Sequence, residues 1–152
     1  MLVDIATYLP CKPGVAIDYV NSPGLLVHIA KPLVTFVAIE PPQFPVTWAD
    51  DTYWVSMRLF GIIPLGRQAV VISHPPSNTF TLRDNGRSAL IQKWDHVITI
   101  APAGSGTHYR DQVTIEAGLL TPLVWLFALF FYRHRQRRWR QPVDAGFDYG
   151  NH

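Results

Sequence analysis

The chain has 152 residues, of which 48% are hydrophobic and 16% are charged, which excludes an intrinsically disordered chain and is enough to bury a core. Its 13 prolines and 10 glycines interrupt the sequence too often for a simple helical bundle. The single cysteine, Cys11, excludes an internal disulfide and a cysteine-based zinc site. The net charge of +2 conceals an uneven distribution, because five arginines fall close together, at positions 133, 135, 137, 138 and 140.

The N-terminal residues, MLVDIATYLP, include Asp4 but no basic residue and no long apolar stretch. Since a signal peptide needs a basic start and an apolar segment, we expect a cytoplasmic protein. The longest apolar run covers residues 119–132 and contains Pro122. It is shorter than the roughly 20 residues that cross a bilayer, so we interpret it as part of a buried helix.

Strand and turn patterns follow one another along most of the chain. Residues 2–9 alternate as in a β-strand, and short helices are predicted at 14–20 and Pro23–Ala30, with Ser22 as the N-cap of the second. A turn is predicted at Asp84-Asn85-Gly86, and a five-residue loop at 102–106. Six further strands are predicted, at residues 33–40, 52–60, 67–73, 79–83, 89–100 and 107–117.

One long helix is predicted at the end of the chain. Thr121 is a suitable N-cap, Pro122 suits the first helical position, and the helix should run to about Arg140. The helix is apolar on all sides between Leu123 and Phe131, which predicts that it is covered on more than one side. Short connections between strands imply an antiparallel sheet, so we expect one α+β domain over residues 1–140, with a curved sheet around the helix, and a flexible tail over 141–152.

This order of elements resembles the helix-grip fold of the START/Bet v 1-like (SRPBCC) superfamily, which includes bacterial polyketide cyclase/dehydrase and lipid-transport proteins. The resemblance covers residues 1–140. It is strongest over residues 84–140, where Trp94-Asp95-His96 and Gly106-Thr107…Asp111 are similar to the last hairpin and LLTPLVWLFALFFYRHRQRRW to the last helix of a bacterial member. The resemblance implies a hydrophobic cavity between sheet and helix that holds a lipid, a polyketide or another apolar molecule. It does not imply one chemistry, because many members only bind.

The alternation of the strands predicts which side chains face the long helix, because residues two apart share a face. Composition by itself favours a filled core on this face, whereas the resemblance favours a ligand cavity. The predicted ligand-binding residues are Tyr53, Val55, Met57, Trp94, His96, Ile98, Tyr109, Asp111 and Val113 from the strands, and Leu123, Leu126, Phe127 and Phe130 from the helix.

His96 and Asp111 are the polar pair on the predicted inward face, where they should lie nearly opposite one another. An imidazole held by a carboxylate is a candidate general base for a cyclase or dehydratase, and Tyr109 is a candidate donor that stabilises an enolate. The alternative is a buried, hydrogen-bonded pair that only orients the strands.

Other chemistries have less support in the sequence. The six histidines show no metal-binding spacing, and neither a nucleophile motif nor a phosphate-binding glycine loop is present, so we expect no metal and no cofactor. The arginines at 133–140 cover too small a surface to predict nucleic-acid binding. The leading hypothesis is a binding or carrier protein for a small hydrophobic molecule. The alternatives are a cyclase/dehydratase-type enzyme and a domain that contacts anionic membranes peripherally through Arg133, Arg135, Arg137, Arg138 and Arg140.

Overall fold

Seven strands and three α-helices make up the described part of the computed structural model, which covers the backbone of residues 1–144 and the side chains of residues 1–139. A 3₁₀ turn at Gly118–Leu120 leads into the last helix. In chain order the elements are β1 Leu2–Leu9, α1 Pro13–Val20, α2 Pro23–Ala30, β2 Val34–Glu40, β3 Thr52–Leu59, β4 Ile63–Ser73, β5 Phe80–Ser88, β6 Lys93–Ala103, β7 Gly106–Glu116 and α3 Thr121–Asp144.

The strands form one antiparallel sheet in the order β1-β7-β6-β5-β4-β3-β2. Consecutive strands pair with each other from β2 onwards, and β1 pairs with the last strand, so that Leu2 lies opposite Thr114 and Leu9 opposite Thr107. The sheet is curved, and α3 packs on β1, β7 and α2. The architecture is therefore the predicted α+β helix-grip fold.

The buried apolar side chains form two clusters on the inner side of the sheet. The first joins β3–β6 to α1 and α2 and includes Leu25, Val70 and Ile98. The second lies under α3 and includes Val113 and Phe131. Several polar residues are also buried among the described side chains, and four of them lie near one another: His96, Asp111, Arg135 and Gln136.

The turn predicted at Asp84-Asn85-Gly86 is wrong, because β5 continues through these residues to Ser88. They pair with β6, with Asp84 opposite His96 and Gly86 opposite Trp94. The glycine is needed there for close packing, since an added Cβ would lie 2.9 Å from the Ala69 carbonyl oxygen. The same residue types that favour a turn thus occupy the middle of a strand.

The predicted five-residue loop between β6 and β7 is also wrong. The two strands continue pairing until Ala103 faces Gly106, and only two residues remain in the turn. Extended pairing buries more of both strands, and it fixes the register that places Ile98, rather than His96, directly opposite Asp111.

The prediction that α3 is covered on more than one side is wrong as well. Leu123, Leu126 and Phe130 are more than half exposed, because the sheet and α2 cover only the opposite side of the helix. The helix runs to Asp144, a few residues beyond the predicted end. The rest of the predicted tail, 145–152, lies outside the described residues. The first residue of α3 is Thr121. Its hydroxyl donates a hydrogen bond to the carbonyl of Gly118 at 2.7 Å and accepts one from the backbone N–H of Ala117 at 2.9 Å.

Candidate functional site

A cavity of about 50 Å³ lies between the sheet and the helices. A cavity of about 10–15 Å³ is enough to hold one water molecule, so this one has room for a small chemical group. Pockets that enclose whole small molecules measure about 300–1,000 Å³. The cavity in this protein is lined by eight apolar residues and three ionisable ones. The apolar residues are Val20, Leu25, Leu26, Trp48, Val70, Ile72, Leu82 and Ile98, and the ionisable residues are Asp84, His96 and Arg135.

Asp111 is the centre of a buried hydrogen-bond network behind this cavity. The carboxylate is fully buried and accepts hydrogen bonds from Nε2 of His96 at 2.7 Å, from the hydroxyl of Tyr109 at 3.1 Å and from Nε2 of Gln136 at 3.0 Å. Burial by itself would raise the pKa of Asp111, but the hydrogen bond from His96 and the nearby charge of Arg135 outweigh burial and hold the pKa below its ordinary value. Asp111 is therefore an ionised acceptor.

His96 joins this network to the cavity. Because Asp111 is ionised, His96 Nε2 carries the proton of their hydrogen bond. Burial lowers the pKa of His96 in spite of the carboxylate, so the imidazole is neutral at neutral pH and its Nδ1 is left as an acceptor. The ring also packs on Tyr132, with 4.8 Å between centroids. A neutral imidazole with one unprotonated nitrogen can accept a hydrogen bond or a proton from a bound molecule.

Asp84 is a second carboxyl group at the cavity, and its surroundings differ from those of Asp111. Its Oδ1 accepts one hydrogen bond, from the backbone N–H of Val71 at 2.9 Å. Burial raises the pKa of Asp84 to about 7. The group is therefore a neutral carboxylic acid below that pH and can donate a hydrogen bond into the cavity.

Arg135 is the one cation among the lining residues. It is only 4% exposed, and its guanidinium lies 5.4 Å from the centre of the Tyr132 ring. Its Nε has no hydrogen-bond partner among the described residues. Within residues 1–139 no carboxylate forms an ion pair with it. A guanidinium stays protonated in proteins, so this cavity contains a fixed positive charge.

The structure brings some of the predicted site residues together and separates others. His96 and Asp111 are in contact, as predicted, and Tyr109 bonds to the same carboxylate. His96 and Ile98 line the cavity. The other predicted strand residues, Tyr53, Val55, Met57, Trp94 and Val113, lie in the two apolar clusters or at their edges, where Trp94 donates to the Tyr132 hydroxyl at 3.0 Å.

The predicted helix face is wrong for three of its four members. Leu123, Leu126 and Phe130 point to solvent, while Phe127 is half-buried at the edge of the cluster under α3. The inward face of the helix instead carries Ala128, Phe131, Tyr132, Arg135, Gln136 and Trp139. A helix that is apolar all round gives no signal of its rotation, and this error follows from that uniformity.

Sequence reasoning misses Asp84, Arg135, Tyr132 and Gln136 as site residues. Asp84 falls in the predicted turn, and Arg135 is grouped with the basic residues around it. One signal existed for Arg135: it lies four residues after Phe131 and four before Trp139, and residues at that spacing share a helix face.

The burial of Arg135 also corrects the predicted set of membrane-contacting arginines. Arg135 is removed from that set, because its side chain faces the cavity. Of the other four, Arg133 and Arg137 are exposed, Arg138 is half-buried, and the side chain of Arg140 lies outside the described residues.

The fold is of the START/Bet v 1-like helix-grip type, and three of the elements around the cavity each contribute an ionisable group. The sequence matches the family model of the domain of unknown function DUF8410 over residues 44–142, about two-thirds of the chain, and the protein belongs to that family. No curated protein matches the sequence.

Solved structures confirm the fold at low sequence identity. TTHA0849 from Thermus thermophilus superposes with a TM-score of 0.68 and 13% identity, covering 96% of this chain and 99% of that one. A START superfamily protein from Mycobacterium smegmatis superposes with a TM-score of 0.63 and 13% identity, covering 95% of this chain and 97% of that one. Ara h 8.0201 superposes with a TM-score of 0.65 and 10% identity, covering 95% of this chain and 98% of that one. Likeness at these identities establishes the architecture.

The described part of the chain contains no helix that is long and apolar enough to cross a membrane. Within the same residues, no three His, Cys, Asp or Glu side chains come close enough to hold a metal ion.

Proposed function

We propose that this protein binds and carries a small, largely apolar molecule in the cavity between the sheet and α3. The observation that carries the proposal is the composition of the cavity wall, where eight apolar residues surround three ionisable groups. Ligand sites in proteins have this character, with apolar walls for affinity and a few polar groups for orientation. The START/Bet v 1-like fold supports the same function.

A ligand larger than a few atoms requires the cavity to widen from its present 50 Å³. Leu25 and Leu26 close it on the side of α2. Both α1 and α2 have only eight residues, and helices of that length depend on tertiary packing for their stability. We therefore expect α1 and α2 to move outwards when a ligand enters, while the sheet keeps its shape.

A cyclase or dehydratase is the weaker hypothesis for the same cavity. It has the neutral imidazole of His96, which lines the cavity and is held by Asp111. Tyr109, however, donates its hydroxyl to Asp111 and does not line the cavity, so the donor that such an enzyme needs for an enolate is already occupied. Binding without reaction needs no further group.

Native mass spectrometry of the freshly purified protein tests the binding proposal. We expect a fraction of the molecules to carry a small apolar molecule in addition to the mass of the chain. Leu26→Trp should abolish this extra mass because the larger side chain fills the cavity. Val27→Trp, on the same helix and outside the cavity lining, is the matched control and should retain it. Loss of the extra mass in both variants, or in neither, would argue against this site.

We further propose that α3 contacts an anionic membrane surface, because its solvent side combines two chemical characters. The exposed α3 face consists of Leu123, Leu126, Phe130, Arg133 and Arg137. Their spacing places all five on one side of the helix. The three apolar members are each about 60% exposed, at 66%, 59% and 63%. An apolar stripe that continues into arginines is suited to a surface with an apolar layer beneath negative headgroups.

A second copy of the chain fits the exposed α3 face less well. Two parallel copies would bring Arg133 and Arg137 against the same arginines, and like charges repel. Two antiparallel copies would place Leu123 and Leu126 against arginines. Anionic lipid has neither conflict, so we favour it as the partner.

Vesicle co-sedimentation tests the membrane proposal. We expect the protein to sediment with vesicles of phosphatidylcholine and phosphatidylglycerol and to remain in solution with phosphatidylcholine alone. Since each arginine near such a surface contributes about 1 kcal/mol, the double variant Arg133→Glu/Arg137→Glu should bind more than about tenfold less. The control Arg67→Glu/Arg87→Glu changes the same charge at exposed positions of β4 and β5 and should bind as the parent does. Equal loss in both double variants, or self-association that the first one abolishes, would contradict the proposal.

A further inference from the structure

We infer that the molecule bound in the cavity carries an anionic group, a carboxylate in the simplest case, and that Arg135 is the residue that receives it. The inference rests on the proposed binding function and adds to it the chemical class of the ligand, a hydrophobic acid.

The first argument is the state of Arg135 itself. The residue is 4% exposed, lines the cavity, and has an Nε without a hydrogen-bond partner in the described part of the chain. A buried charge without a full set of partners is expensive to maintain. The guanidinium lies 5.4 Å from the centre of the Tyr132 ring, and, against the effect of burial, the nearby Asp111 and Tyr132 side chains raise its pKa, but neither of them accepts a hydrogen bond from Nε.

The second argument is that neither of the two carboxyl groups near Arg135 forms an ion pair with it. Asp111 already accepts hydrogen bonds from three side chains, those of His96, Tyr109 and Gln136. Asp84 accepts a backbone N–H from Val71. Neither of them comes within ion-pair distance of Arg135, so among the described side chains the cation is not one half of an internal salt bridge.

The third argument is the chemistry of the remaining wall. A carboxylate beside Arg135 would pair with the guanidinium and accept a hydrogen bond from neutral Asp84, while the eight apolar residues would surround the rest of the ligand. Charge pairing inside a desolvated site is stronger than in water. The space of about 50 Å³ is of the size of such a group, and the apolar part of the ligand would extend towards Leu25 and Leu26 as the cavity widens.

Matched alkyl probes test the inference. Octanoate and 1-octanol share a chain length and differ in charge, and the fluorescence of Trp48, which lines the cavity, reports their binding. At about pH 6 octanoate is ionised, and we expect it to bind at least about tenfold more tightly than 1-octanol. Arg135→Gln should reduce the affinity for octanoate to that for 1-octanol and leave the affinity for 1-octanol unchanged. Arg133→Gln, on the exposed side of the same helix, should change neither.

Each result decides between distinct possibilities. If both probes bind equally to the parent, or if Arg135→Gln keeps the preference for octanoate, the assignment of Arg135 is wrong while the binding function stands. If neither probe binds at any chain length from about four to twelve carbons, the binding function itself fails. Arg135→Lys keeps the charge and should retain part of the preference, which separates a loss of charge from a loss of folding if Arg135→Gln proves unstable.

Discussion

Asp84 and Asp111 show how two carboxyl groups of one fold take opposite protonation states. Asp111 receives hydrogen bonds from three side chains and is ionised, whereas Asp84 receives one from a backbone N–H and is neutral below a pKa of about 7. The hydrogen bond from His96 and the nearby charge of Arg135 keep Asp111 ionised, whereas burial dominates at Asp84. Just below pH 7 the cavity therefore contains a neutral carboxylic acid, a neutral imidazole and a guanidinium.

The raised pKa of Asp84 predicts a pH-dependent stability difference. Between its ordinary value of 3.8 and about 7, the folded state retains a proton that the unfolded state has lost, so this group makes folding less favourable as the pH rises through that range. Asp84→Asn can still accept from Val71 and carries no charge. We expect it to exceed the parent in free energy of unfolding by roughly 2–4 kcal/mol at pH values above 7, and by almost nothing near pH 4.

Urea denaturation of the parent and Asp84→Asn at the two pH values measures this difference directly. Asp18→Asn removes a charge from an exposed position of α1 and serves as the control, with no comparable change between the two pH values. A gain for Asp84→Asn that is the same at both pH values would show that Asp84 does not titrate as described.

At the scale of elements, the sequence is most informative where local pattern and tertiary packing agree. Pro23 and Pro122 predict the beginnings of α2 and α3, and the strand patterns predict all seven strands. The sequence misleads where packing overrides a local preference. Gly86 has the character of a turn residue, but its lack of a side chain is what lets β5 approach Gln68 and Ala69 on β4.

Gly106, the first residue of β7, packs closely against β1. A Cβ added at Gly106 would lie 2.6 Å from the carbonyl oxygen of Leu9 on β1 and would also contact the Tyr8 ring. A side chain can rotate away, but a backbone carbonyl in a paired strand cannot. We therefore expect Gly106→Ala to lower the free energy of unfolding by about 2 kcal/mol or more.

Gly14→Ala is the matched control for that substitution. No atom lies within 4 Å of a Cβ added at Gly14 in α1, so the same change should raise stability by about 0.5–1 kcal/mol. Thermal or urea unfolding of both variants checks the pair. Similar effects at the two positions would mean that β1 and β7 do not pack as tightly at this end as the structure indicates.

At the scale of the whole molecule, the sequence predicts the architecture and three connected site residues, His96, Tyr109 and Asp111. It does not predict the other ionisable groups around the cavity. Arg135 lies in a run of arginines that are mostly exposed, and only the rotation of α3, which the uniformly apolar stretch before it does not encode, decides which arginine faces inwards. The sequence does not predict the exposed α3 face either, because that face also depends on the rotation of α3.

Both proposals assign a role to α3. Its inner side contributes Arg135 to the cavity, and its outer side presents Leu126 and Arg133 to solvent. A ligand that prefers apolar surroundings has two apolar places on this helix, and we propose that it enters the cavity on the inner side.

Intermolecular nuclear Overhauser effects between octanoate and methyl-labelled protein test that claim most directly. We predict contacts from the alkyl chain to the methyl groups of Leu26, Leu82 and Ile98, which line the cavity. Contacts confined to Leu123 and Leu126 on the exposed α3 face, or no contacts at saturating octanoate, would contradict it.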